Sequence, residues 1–153
     1  MNPEFDYKEK AEELFNSGYN CAQAVLCAFS DVTGLPLSDS LKISSSFGGG
    51  MGRLREVCGA VSAMFMIVGI RYGYTDMADK SAKDNHYKLI QEMADKFKEK
   101  TGSIICREIL NNPAGADSHV SSDRTEEYYA KRPCARCVYL AAKIVEDTIR
   151  MKG

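Results

Sequence analysis

Six cysteines, Cys21, Cys27, Cys58, Cys106, Cys134 and Cys137, are the residues of this 153-residue chain best suited to chemistry. They are far too sparse for a disulfide-stapled secreted scaffold. The opening residues Met1 to Asp6 are polar and acidic where a secretory signal needs basic and then apolar ones. The expected setting is therefore cytoplasmic, where reducing pools keep ordinary thiols free. Sulfur chemistry then means thiol–disulfide exchange or metal ligation, both of which use the thiolate. Cys134-Ala-Arg-Cys137 is a C-x-x-C behind Pro133, but it lacks the strand and βαβ context of thioredoxin-like motifs. Only one pair is closely spaced, so no zinc-finger pattern is formed, and the other gaps do not fit compact ferredoxin motifs.

Helical periodicity indicates how these cysteines are carried. Tyr7, Ala11, Leu14 and Phe15 mark a first amphipathic helix ending near Ser17-Gly18, and Asn20 is placed to cap a second. That second helix presents Cys21, Ala24, Val25 and Ala28 on one stripe and stops around Thr33-Gly34. Ser38 to Ser46 suits a short helix capped by Ser38 or Asp39. Gly48 to Gly52 then forms a tight loop, and Glu56 to Arg71 resumes as an apolar helix expected at the centre of a bundle. A long surface helix follows, with Leu89, Ile90, Met93, Ala94 and Phe97 facing inward, and a short apolar segment carries Cys106. Asn111 to Thr125 is polar and turn-rich, as a mobile loop or lid would be, and from Arg132-Pro133 a last helix buries Val138, Ala141, Ala142, Val145 and Ile149. No alternating strand pattern occurs. The expectation is an all-α, single-domain multi-helix bundle over residues 1–153, built around the central apolar helix.

Helix geometry also sorts the cysteines. Cys21 lies in its stripe, whereas Cys27 is rotated roughly 240° from it at about 100° per residue and reads as incidental. Cys134 extends the buried face of the last helix, and Cys137 lies nearer that face's edge. Cys58 opens the central helix, where free backbone N–H groups and the helix dipole stabilise a thiolate, making it the best nucleophile candidate. If Cys21, Cys58, Cys106 and Cys134 all begin helices or turns, they gather at one end of the bundle. The plain alternative is that each merely packs, since free Cys is among the most buried residue types.

Other features add less. The glycines Gly48, Gly49, Gly50 and Gly59 are the backbone positions expected to approach a cofactor or the sulfur site closely; without G-K-[ST] and a preceding strand they do not make a nucleotide loop. Arg53 and Arg55 flank Cys58 and could favour its thiolate, and Glu56 suits a helix start. His86 and His119 are not placed by any motif, and Met51, Met64, Met66 and Met77 suit core filling. The net charge of -1 offers no field for nucleic acid, and the longest apolar run, Gly59 to Ile70, is too short for a membrane span.

The chain resembles the redox-active family named for its C-GCAxxG-C-C arrangement. The resemblance runs from Asn20-Cys21-Ala22-Gln23-Ala24-Val25 through Phe47 to Arg53, Glu56-Val57-Cys58-Gly59-Ala60-Val61 and Cys106-Arg107-Glu108 to the Cys134 helix. It implies that Cys21, Cys58, Cys106 and Cys134 are the signature cysteines, with Cys27 and Cys137 as extras. Ala63 stands where the family motif places its last glycine. The resemblance implies a redox role and, through a module associated with split-Soret cytochromes, an iron–sulfur centre as one option; without C-x-x-C-H, covalent haem is not expected. The leading expectation is a thiol–disulfide oxidoreductase in which Cys58 attacks and Cys21, Cys106 or Cys134 resolves, serving a thiol, disulfide or electron-carrier partner. The alternatives are an iron–sulfur or zinc site on those four cysteines, or a helical interaction module with packing cysteines. A homo-oligomer is compatible with either.

Overall fold

In a computed structural model, described here for residues 1–112 and 115–153, the chain is all-helical, and its one β contact is an isolated antiparallel bridge between Val57 and Ile105. The helices are α1 (Tyr7–Asn16), α2 (Cys21–Ala28), α3 (Ser30–Thr33), α4 (Leu37–Ser45), α5 (Gly59–Tyr72), α6 (Lys80–Thr101), α7 (Cys106–Ile109), α8 (Glu126–Lys131) and α9 (Cys134–Lys152). Local chemistry sets their starts. Asp6 caps α1 by accepting from the Glu9 N–H, and Asn20 and Gln23 form a reciprocal capping box on α2. Asp79 caps α6 by accepting from the Ala82 N–H, and Gly102 ends it in the left-handed conformation. Pro36, rather than Ser38 or Asp39, precedes α4, with no side-chain cap.

The apolar helix α5 is central, packing against α2, α3, α6 and α9. Its residues Gly59 to Met64, Ile67 and Val68 are buried, and only its far end emerges, at Ile70. Across it lie Val25 and Leu26 of α2 and Val138, Ala141, Ala142 and Val145 of α9, while α1 seals one side with Tyr7, Ala11 and Phe15. Met93, Ala94 and Phe97 supply the buried stripe of α6, as its periodicity requires. Met64 is core and Met77 is exposed, so the methionines do not all fill the interior.

Two differences from the sequence expectation bear on the site. The central helix begins at Gly59, not Glu56: Glu56 to Cys58 run extended beside Ile104 to Cys106, with the Cys58 N–H donating to Ile104 O at 2.8 Å and the Cys106 N–H to Glu56 O at 2.6 Å. A two-residue pairing has no room for an alternating pattern, so periodicity could not reveal it. The polar segment after Asn111 is also tied down where it is described. Asp117 N–H donates to Arg53 O, Arg53 donates to Ser118 O and Ser122 Oγ, and Arg124 donates to Phe15 O and Tyr19 O. Pro113 and Ala114, part of that expected lid, lie outside the described residues.

Candidate functional site

The glycine segment creates the space in which the sulfurs meet. Gly49, Gly50, Met51, Gly52 and Arg53 all have φ between 60 and 69°, one turn of left-handed backbone closed by Gly52 N–H to Gly48 O at 2.9 Å. This turn replaces the irregular loop expected from composition, and glycine supplies three of its positions at no steric cost. Its second role is proximity. A Cβ on Gly50 would lie 2.6 Å from Cys106 Cβ and 2.9 Å from Arg55 Cα, and one on Gly59 would lie 2.7 Å from Phe47 O and 3.1 Å from Ala22 N. A Cβ on Gly48 would run into the Asn20 side chain, the cap immediately before Cys21. Close packing thus presses the chain around Cys106 and the start of α2 against the start of α5.

Around this junction Cys21, Cys106 and Cys134 each open a helix, and Cys58 is the N-cap of α5. All four line one small cavity of about 50 Å³, together with Gly49, Gly50 and Gly59. Cys137 lines it too, so the cluster holds five sulfurs. Cys137, an extra by the family resemblance, thus stands among the clustered cysteines. It sits one turn into α9 behind Cys134 and is almost fully buried, a direction that the edge of a helical stripe leaves ambiguous. Cys27 is buried elsewhere in α2 and does not line the cavity. All six cysteines are free thiols.

Within the cavity the thiols contact one another in pairs. Cys21 donates to Cys134, which holds the Cys134 thiol down at about 7; burial opposes this, and the charges of Arg132, Arg55 and Arg124 assist. The same contact, reinforced by burial, raises Cys21 well above an ordinary thiol. Cys137 donates to Cys58, lowering Cys58 against the cost of burial, and the backbone N–H groups of Ala60 and Val61 at the start of α5 add to the effect. Cys137 is correspondingly raised. Each pair therefore holds one sulfur inclined to ionise and one that keeps its proton.

Cys106 differs. Burial raises it, and Arg55 opposes by donating Nη1 to its sulfur at 3.5 Å. Arg55 is 2% exposed, donates Nε to Asp117 at 2.7 Å, and so serves Cys106 rather than Cys58. Arg53 instead holds the loop at Ser118 and Ser122, and Glu56 pairs with Arg107 at 3.1 Å rather than with a helix dipole. Arg124 and Arg132, which carried no signal in the sequence, complete the cationic wall; Arg124 stacks over Phe15 and Tyr128, and Arg132 over Tyr128. Neither His86 nor His119 lines the cavity. Among the described residues no three His, Cys, Asp or Glu side chains are arranged to hold a metal ion.

An all-helical protein that delivers five thiols from helix starts to one arginine-walled cavity is, by class, a thiol-cluster protein. The chain belongs to the family described as "Putative redox-active protein (C_GCAxxG_C_C)", which matches residues 19–148 and so spans every cysteine. No curated protein and no solved structure shows significant similarity to it. No helix among the described residues is long and apolar enough to cross a membrane.

Proposed function

We propose that the cavity is a thiol–disulfide redox site with two working pairs, Cys134 with Cys21 and Cys58 with Cys137. The observation that carries this is the gathering of Cys21, Cys58, Cys134 and Cys137 around one small cavity, and it is supported by the opposed shifts of the two pairs, Cys134 lowered with Cys21 raised and Cys58 lowered with Cys137 raised. Cys134 is the more exposed member of the cluster's two low-pKa thiols and is the attacking group for an outside partner. Its thiolate bonds to one sulfur of the partner disulfide, the S–S bond breaks, and one partner thiolate leaves. Cys21 passes its proton to that leaving thiolate and displaces the second partner sulfur as a thiolate. The products are a Cys21–Cys134 disulfide, one partner thiol and one partner thiolate, two electrons having passed to the partner.

This departs from the expected assignment of Cys58 as attacker with Cys21, Cys106 or Cys134 as resolver. Cys58 keeps its lowered thiol pKa, but the sulfur it contacts is Cys137. An iron–sulfur or zinc site on Cys21, Cys58, Cys106 and Cys134 fits the softness of the donors but not their arrangement. The sulfurs engage each other, and a guanidinium engages Cys106 where a cation would need that lone pair.

The test is oxidation under controlled conditions. Anaerobically purified protein is assayed for metal and visible colour, titrated with a mild dithiol oxidant, and mapped by peptide mass spectrometry. The dithiol reading expects reversible loss of four thiols as Cys21–Cys134 and Cys58–Cys137, with Cys27 and Cys106 left free. Stoichiometric iron or zinc that blocks oxidation, or thiols that never pair, would refute it.

A further inference from the structure

The second thiol pair has its own entrance. Cys137, which lines the small cavity with Cys58, also lines a separate open pocket of about 470 Å³ between the ends of α6 and α7, the middle of α1 and the first turns of α9. That volume falls within the range of small-molecule sites, and Cys137 in its wall is only 3% exposed. A folded protein could not bring a disulfide onto such a buried sulfur, but a small molecule seated in the pocket could. The walls carry Lys100, Arg136 and Glu12, and none of the three forms an ion pair with any described residue. Apolar surface from Ile109, Pro133 and Leu140 lies between them.

We infer that this pocket binds a small carboxylate-bearing disulfide or thiol of the amino-acid type, with its carboxylate on Lys100 and Arg136, its ammonium on Glu12 and its sulfur toward Cys137. The match is one of charge and size: two unmatched cations and one unmatched anion share the lining with apolar side chains and Cys137. The chemistry, but not the binding, rests on the dithiol reading above. In a reversal of the pair's resting state, Cys137 passes its proton to the Cys58 thiolate as the ligand's disulfide approaches and then attacks one of its sulfurs, whose S–S bond breaks to release a small thiolate. Cys58 gives up that proton to the released thiolate and bonds to the Cys137 sulfur, displacing the second half of the ligand as a thiolate. This leaves a Cys58–Cys137 disulfide, two electrons having passed to the ligand.

Two measurements on the full chain separate binding from chemistry. S-methylcysteine, which cannot exchange, is titrated while amide shifts are followed by NMR. Binding is expected to perturb residues around Arg136 and Lys100 and to weaken on Glu12→Gln. Reduction rates are then compared for dithiodiglycolate, 2-hydroxyethyl disulfide and cystamine, which are anionic, neutral and cationic, each corrected for its rate with a simple thiol. The wild type should prefer the anion, and Arg136→Glu should slow the anion about five- to ten-fold while leaving the neutral disulfide unchanged, because a rim charge acts on the charged ligand alone. A shift in thiol reactivity would instead move all three disulfides together and would overturn the assignment of Arg136. S-methylcysteine binding with no exchange would uphold the pocket and refute the redox reading. Exchange that ignores ligand charge, with no S-methylcysteine binding, would refute the pocket and uphold the redox reading.

Discussion

Replacing Cys21 with alanine removes the largest influence holding the Cys134 thiol down at about 7, the hydrogen bond donated by Cys21. A hydrogen bond to a charged group is worth about 1.5–3 kcal/mol, or roughly one to two pKa units, so the Cys134 midpoint should rise to about 8.5. At pH 7 the thiolate fraction would fall from about one half to about 3%, while the more basic thiolate would be intrinsically about five times more reactive. The two effects oppose each other, and the net change is about three-fold slower at pH 7 and about four-fold faster at pH 9.5. The assay is exchange with the neutral disulfide 2,2′-dithiodipyridine across pH 5.5–10, with the modified cysteine identified by peptide mass. A crossing of the wild-type and Cys21→Ala profiles between these pH values is the signature of the paired thiols. Parallel profiles, or a wild-type Cys134 midpoint near the ordinary thiol value of about 8.5, would show that Cys21 does not set the ionisation of Cys134.

Gly50→Ala places a methyl against Cys106 Cβ and the Arg55 backbone at a φ of 66°, so strain and overpacking together should cost about 2–5 kcal/mol and lower the melting temperature by about 5–20 °C, read by thermal denaturation. Asp117→Asn removes the carboxylate paired with buried Arg55 and should lower the melting temperature at pH 7. Because that pairing depresses the folded-state pKa of Asp117, its stabilisation is present above the unfolded carboxylate range and disappears as pH falls through the folded value; melts of the two proteins should therefore converge in acid. Cys27→Ala should leave both disulfides and the count of reversibly oxidised thiols unchanged in mass mapping, since Cys27 does not line the cavity.

Much of the scaffold was legible because it follows local rules. The stripes of α1, α6 and α9, the Asn20 cap, the Gly102 terminator and the central place of the Gly59 helix all follow from helical period, capping chemistry and hydrophobicity within a few neighbouring residues. Helix α8 was not legible, since Glu126 to Lys131 buries none of its residues and so leaves no apolar period to find. The extended pairing of Val57 with Ile105 escaped for a related reason, as one bridge fixes too few residues to impose an alternation.

The amino-acid order by itself determined that helices would form and which stripes α1, α6 and α9 would bury. Only the tertiary structure decided which sulfur met which: that Cys137 turned toward Cys58, that Arg55 reached Cys106 rather than Cys58, and that Arg124 and Arg132 closed the cavity. The physical reason is distance along the chain. Direction around a helix is fixed by the 3.6-residue turn, but contacts between residues tens of positions apart depend on how closely the elements approach. Here that approach is set by backbone-to-backbone packing at Gly50 and Gly59, which no local pattern records.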